Sequence, residues 1–415
     1  MRYSLYLLLV LAFNILPVST KKLSKSIDTI LDQYPHIHVG CQISSLEKDK
    51  RIIYSRNADH LFIPASNTKI FTAILALEYL GADYLFDTDI YIDGYISKQI
   101  LHGNIYIKAS GNPSLTNKSL EQLIKMLCKK IGIHKITGNC YIDSTLFDSE
   151  VYPPGSFLDN IGYSWNSPIH ALIIDHKPAI LSKDFTYNSL SKADEYIFID
   201  NVVVKLFEKY KIVFNGIVEN KTVPDDAQII LQHQSPPLSK LLTTMLKESD
   251  NLYADCIFKK IASCNHLTPA TWTNASNVLY NFLEDILQVS SRECVIKDGS
   301  GRSRYNLISP QHIVKLLTFA YKQPYYAIFL DNFPINGIDG TLKERLIEIY
   351  PCIKAKTGTL SGVSTFSGYI EFPTETIAFS ILINGYVSEN IMNPPYKKEI
   401  EDAICAQIVK FYSTC

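Results

Sequence analysis

The spacing of apolar residues changes character three times along the chain. Residues 64–81, PASNTKIFTAILALEYLG, are apolar on nearly every side after Lys69, from Ile70 and Phe71 through Ile74, Leu75 and Leu77 to Leu80, and end at Gly81. That pattern predicts a helix buried on most faces. Ahead of it, a helical segment from about Leu23 to Gln33 precedes HIHVGCQISSL and RIIYS, which read as a hairpin with a polar turn at Glu47 to Lys50. Between about Asp87 and His233 the apolar residues fall in short strand-like runs, among them DIYIDGYI, GNIYIKAS and EYIFIDNVVVKLFE. One helix, Ser119 to Ile131, interrupts them. From Leu238 the helical period returns in LSKLLTTMLKESDNLYADCIFKKIAS, TWTNASNVLYNFLEDILQ and SPQHIVKLLTFAYKQ. KAKTGTLSGVSTFSGYIEF and TIAFSILINGY then read as antiparallel strands. The closing amphipathic helix carries Ile400, Ile404, Ile408 and Phe411 on one face. Such a face predicts packing on a sheet, with peripheral membrane contact as the alternative.

These changes of texture divide the chain into residues 1–20, 21–86, 87–235 and 236–415. The first stretch has Arg2, an apolar run from Leu5 to Leu16 and a small-residue break from Pro17 to Thr20, the pattern of a secretory signal peptide. An uncleaved anchor is the alternative, because PVST lacks a clean A-x-A, but the run is short for a membrane span. Export, and a periplasmic location, are therefore expected. The third stretch reads as a mainly β inserted domain between two parts of a catalytic domain. With 47% apolar and 20% charged residues and a formal net charge of -1, the 415-residue chain has no global field that would favour nucleic acid. Export would permit disulfides among the nine cysteines, whose pairing the spacing does not reveal; none has metal-ligand spacing, and no cofactor or metal is expected.

A lysine in the first turn of so apolar a helix is costly unless it is paired or used. Ser66 and Lys69 fit S-x-x-K, a spacing that puts both on one helix face. A buried amine, its proton affinity lowered by desolvation, can take the proton of a serine hydroxyl, and the helix start offers N–H groups for an oxyanion. Four such patterns occur, at Ser19, Ser45, Ser66 and Ser189, and only Ser66 opens a long apolar helix. Ser249-Asp250-Asn251 fits S-x-N, where a second hydroxyl can relay a proton and an amide can hold a substrate carbonyl and the lysine. Lys356-Thr357-Gly358 fits K-T-G and occurs once, at the head of a strand. An extended peptide can pair with such a strand, Gly358 allows close approach, and Lys356, Thr357 and Thr359 suit a terminal carboxylate. The three motifs in this order are the set found in β-lactamases and penicillin-binding proteins.

On these residues, and on the longer phrases HQSPPLSKLLTTMLKESDNLYAD, KDGSGRSRYNLISP and NFPINGIDGTLKERL, the chain resembles the class C low-molecular-mass penicillin-binding proteins. These are D-alanyl-D-alanine carboxypeptidases and endopeptidases. The resemblance implies an α/β (α+β) penicillin-recognising fold, an antiparallel sheet flanked by helices with a mainly β inserted domain. It implies Ser66 as acylated nucleophile, Lys69 as general base, Ser249 and Asn251 in proton relay and positioning, and Lys356, Thr357, Gly358 and Thr359 as the substrate-binding strand. Partners would be peptidoglycan peptides and β-lactams. The gap of 183 positions from Ser66 to Ser249 (249 minus 66) looks short for that family, with residues 176–227 lacking much of its second inserted unit. A β-lactamase or esterase on the same fold is the rival enzyme. Glu284, Glu293, Glu344 and Glu348 lack the E-x-x-L-N context that would activate a deacylating water. A silent peptidoglycan-binding protein is the non-enzyme rival. The aromatics Tyr163, Trp165 and Tyr187 of the inserted stretch are expected to pack rather than to face ligand.

Overall fold

The computed structural model describes residues 18–47, 51–156, 163–185, 196–264, 267–350, 352–386 and 395–413. Helix α1 (Val18–Leu31) and strands β1 (His38–Ser45) and β2 (Ile52–Arg56) come first, and a 3-10 turn, Ala65–Asn67, leads into α2 (Thr68–Tyr79). Next are β3 (Asp87–Ser97), β4 (Ile100–Lys108), α3 (Asn117–Met126), β5 (Lys135–Ile136), β6 (Cys140–Asp143), β7 (Ile173–Ile174), β8 (Lys177–Ile180), β9 (Ile197–Phe198), α4 (Ile199–Lys209), β10 (Val213–Phe214), β11 (Val218–Asn220) and β12 (Gln228–Gln234). The remainder is mainly helical before a final sheet segment: α5 (Leu238–Lys247), α6 (Asn251–Cys264), α7 (Trp272–Asp285), α8 (Pro310–Ala320), α9 (Tyr326–Asp331), β13 (Ile353–Leu360), β14 (Val363–Glu371), β15 (Thr376–Asn384) and α10 (Pro395–Ser413). Residues 1–17 of the expected signal peptide and residues 48–50 of the expected hairpin turn lie outside the described residues.

Two sheets organise these elements. One has the order β13-β14-β15-β1-β2, all antiparallel, so the first strand of the chain sits beside the last. Its inner strands are buried on both sides: every residue of β14 from Val363 to Ile370 is buried, which explains their continuous apolar sequence. On one face lie α1 and α10, where Leu23, Ile27, Ile400, Ile404 and Ile408 share a core with Ile43, Phe366 and Phe379. The apolar face of the closing helix is thus spent on packing. On the other face a second core joins α2 and α5–α8 to the inner side of the second sheet, built within residues 87–234 in the order β10-β5-β4-β3-β12 with β6 and β11 attached.

Two local expectations need correction. EYIFIDNVVVKLFE is not a strand beyond β9: from Ile199 it is helix α4, because Ile199, Val203 and Phe207 recur four apart and are all buried. Its β-branched residues mimicked a strand, but the burial period is helical. The predicted helix from Ser119 to Ile131 starts at Asn117, where Thr116 accepts the Ser119 N–H (3.1 Å). It ends in one π turn, Leu127–Ile131, closed by Gly132 at φ 81°. The eight described cysteines are all free, and seven are buried, which is the behaviour of small apolar side chains.

Candidate active site

The three motifs meet at the edge of the five-stranded sheet. Ser66 stands in the 3-10 turn that precedes α2, and Lys69 lies in the first turn of the helix proper. Ala65, at φ 45°, and Asn67 hold that turn against β13 and β14. The Asn67 side-chain amide donates to the Lys356 carbonyl (3.1 Å) and to Thr365 Oγ1 (2.9 Å), while Thr365 donates to the Pro64 carbonyl (2.9 Å). Gly358 allows the contact to be this close: a Cβ there would lie 2.8 Å from the Ser66 backbone nitrogen and 2.2 Å from Thr365 Oγ1.

The second motif comes from a break in what the sequence presents as one helical run. Ser249 takes φ 60°, separating α5 from α6, and Asn251 is the first residue of α6. A serine in the left-handed region is costly for a non-glycine side chain, and such strain concentrates at functional sites. Lys356 Nζ donates to Ser249 Oγ (2.8 Å) and to the Thr357 carbonyl (2.8 Å). Thr357 is half-buried, with its hydroxyl bonded to Thr341 Oγ1 (2.8 Å), and Thr359 is exposed near the end of the strand.

Lys69 is completely buried, yet its ammonium touches only neutral acceptors: Ser66 Oγ (3.1 Å), Asn251 Oδ1 (2.6 Å) and the Ser300 carbonyl (2.7 Å). Burial lowers its pKa to about 8, against the opposing charges of Asp255, Asp298 and Asp250, while Arg302 adds to the lowering. Burial also brings the Lys356 ammonium well below the usual lysine range, and the charge of Lys69 pushes it the same way. Asn251 Nδ2 donates to the Trp165 carbonyl (2.8 Å), so one of its two amide hydrogens is already committed and one remains for a substrate carbonyl. A cleft of about 540 Å³ opens beside Ser249 and Asn251, walled by Tyr163, Trp165 and His176. Tyr163 and Trp165 stack at 5.8 Å and are 58% and 42% exposed, so these two rings face the cleft rather than packing inside the inserted stretch; Tyr187 lies outside the described residues.

The sequence reading did not single out Ser300, whose carbonyl holds Lys69, nor Asp255 and Arg302 behind it. The signal was present in KDGSGRSRYN, a turn-rich string with four charges in which buried residues alternate with glycine. Among the described residues no group of His, Cys, Asp and Glu is arranged to hold a metal.

Comparison with known proteins fits this geometry. The chain matches the D-Ala-D-Ala carboxypeptidase 3 (S13) family over residues 23–189 and 182–407. It belongs to that family. A curated relative, the D-alanyl-D-alanine carboxypeptidase DacB of Haemophilus influenzae, is 29% identical over 401 residues, covering 81% of this chain and 83% of its own length. The D-alanyl-D-alanine carboxypeptidase of an Actinomadura species is 26% identical over 434 residues, covering 86% and 79%. Among solved structures, penicillin binding protein 4 (dacB) from Haemophilus influenzae superposes with a TM-score of 0.82 at 24% identity, over 93% of this chain and 99% of that one, so the two chains share a fold. A further structure of that neighbour is a complex with a β-lactam.

Proposed function

We propose that this chain is a penicillin-sensitive serine D-alanyl-D-alanine carboxypeptidase that works through an acyl-enzyme on Ser66. The observation that carries the reading is the Lys69 ammonium 3.1 Å from Ser66 Oγ with no carboxylate bonded to it. Neutral Lys69 takes the Ser66 proton as Oγ attacks the carbonyl carbon of the penultimate D-alanine of a peptidoglycan stem peptide. The start of α2 and the adjacent edge of β13 supply backbone N–H groups for the developing oxyanion. Ser249, bonded to Lys356, passes a proton to the leaving nitrogen as the C–N bond breaks. Water then cleaves the ester and restores Ser66. Lys356, Thr357 and Thr359 receive the terminal carboxylate, and Gly358 keeps the strand close to Ser66. A D-alanyl cross-link presents the same bond, and the open cleft beside Asn251 suits a bulky acyl donor, so DD-endopeptidase activity belongs to the same reading.

Residues 21–86 and 236–415 would form the catalytic unit, with residues 87–235 inserted, in a protein exported to the periplasm after loss of residues 1–20. Among the described residues no helix is long and apolar enough to cross a membrane. Incubation with fluorescent penicillin tests the catalytic reading. One covalent label is expected, absent in Ser66→Ala, together with D-alanine release from a pentapeptide ending in D-Ala-D-Ala. A label that survives Ser66→Ala overturns the nucleophile assignment, and labelling with no D-alanine release points to a binding protein instead.

A further inference from the structure

Behind Lys69 lies a buried ion pair that the mechanism above does not use. Asp255 sits one helical turn after Asn251 on α6, so both side chains face the lysine from the same helix. Asp255 is fully buried; its Oδ1 accepts the Gly299 N–H (3.0 Å), and its Oδ2 lies 3.0 Å from Arg302 Nε. That last contact is a charge contact without hydrogen-bond alignment, since both atoms lack an aligned partner. Arg302 Nη1 donates to Asn166 Oδ1 (2.8 Å) and the Ser167 carbonyl (2.9 Å), beside the Trp165 carbonyl that holds Asn251.

The pair grips a short loop. Asp298 accepts the N–H groups of Gly301 (3.0 Å) and Ser303 (2.8 Å), and Thr72 on α2 donates to the Gly299 carbonyl (2.7 Å). The loop is pressed onto its neighbours: a Cβ at Gly301 would lie 1.7 Å from the Ala65 carbonyl oxygen, and one at Gly299 2.4 Å from Phe258 Cβ. In that position the Ser300 carbonyl meets Lys69 Nζ.

We propose that Asp255 and Arg302 are positioning residues for Lys69, holding residues 299–300 so that the Ser300 carbonyl caps its ammonium and acting on its charge with opposite signs. Fully buried ion pairs are seldom retained for net stability, because apolar residues of similar volume serve as well. The charged groups facing Lys69 are Asp250 before α6, Asp255 on α6, Asp298 and Arg302 in the loop, and Lys356 on β13. Of these, Asp255 is the strongest charge favouring the protonated amine and Arg302 opposes it.

The inference rests on Lys69 being the base, and the test separates the two. The second-order rate of acylation by a fluorescent penicillin is measured from mildly acidic to mildly alkaline pH for the full chain. Asp255→Asn is expected to move the rising limb of the profile to lower pH, by about one unit, and Arg302→Gln to move it to higher pH. The double variant is expected between the wild type and Asp255→Asn, because Asp255 acts on Lys69 more strongly than Arg302 does. A purely structural pair would lower the rate in both single variants with the limb fixed, and that result, or two shifts of the same sign, overturns the proposal. If thermal unfolding shows that the single variants do not fold, the double variant decides: a folded double variant whose limb moves down by about a full unit or more, or moves to higher pH, also overturns it. Normal acylation in Lys69→Ala would instead sink the base assignment itself.

Discussion

Lys69 on α2 and Lys259 on α6 are both completely buried, but their ammonium groups are satisfied in opposite ways. Lys259 touches a carboxylate, Asp148 Oδ1 at 2.5 Å, and lies over the rings of Trp272 (4.9 Å) and Phe147 (5.2 Å). Lys69 has a hydroxyl, an amide oxygen and a carbonyl, and its nearest carboxylates act only through space. Burial lowers the proton affinity of both, and only at Lys259 does a bonded carboxylate oppose it. Full burial therefore does not mark a lysine as chemical. The kind of acceptor around it does: a direct carboxylate pins the proton, whereas neutral dipoles hold the amine in place and leave the proton free to move.

The comparison can be broken most directly by removing each lysine. Lys69→Met should reduce acylation by penicillin by about 10²–10⁴-fold, the usual worth of a positioned base, while circular dichroism shows a folded protein. A loss of less than tenfold would place Lys69 with the structural lysines. Lys259→Met should do the reverse: it strands Asp148 and should cost about 3–5 kcal/mol in denaturant unfolding, with acylation per folded molecule unchanged. An acylation defect as deep as that of Lys69→Met would erase the distinction. The pH dependence sharpens it further. The base must be neutral, so acylation should rise with pH up to about 8 and fall about tenfold per unit below that, tracking the lowered pKa of Lys69. The smallest effect belongs to the cleft wall. Trp165→Ala leaves the carbonyl that anchors Asn251 and removes only a ring 42% exposed. It should cost about 0.5–1.5 kcal/mol of stem-peptide binding, roughly two- to tenfold in KM, with penicillin acylation little altered.

Helix α2 was legible because its burial is nearly total, so periodicity and composition agree. The sheet strands of the C-terminal third were legible for the same reason. The break at Ser249 was not, because a left-handed serine between two helical runs leaves no composition signal, and α5 and α6 read as one string. Helix α4 was misread where β-branched residues follow a true strand at Ile197–Phe198. Ser66, Lys69 and Lys356, which the fold brings to one place, stood out by spacing, since each lies on an element whose own pattern is strong. Ser300, Asp255 and Arg302 were missed because a backbone carbonyl has no residue type, and because a single Asp on a mostly buried helix names no partner until the chain has folded.

The pairing of β1 with β15 has a consequence for how the molecule comes to exist. Eight residue pairs, from His38↔Asn384 to Ser45↔Ile377, close a loop of more than three hundred residues. Contacts so distant in sequence are slow to form and cannot begin before the last strand has been made. At ribosomal speeds that means a delay of roughly 20–70 s, during which β1 has only β2 to pair with and the apolar stripe of α1 lacks the C-terminal strands and helix that cover it. The nascent chain is thus kept open at its N-terminal side for most of its synthesis, and whatever escorts it must shield those strands until Asn384 arrives.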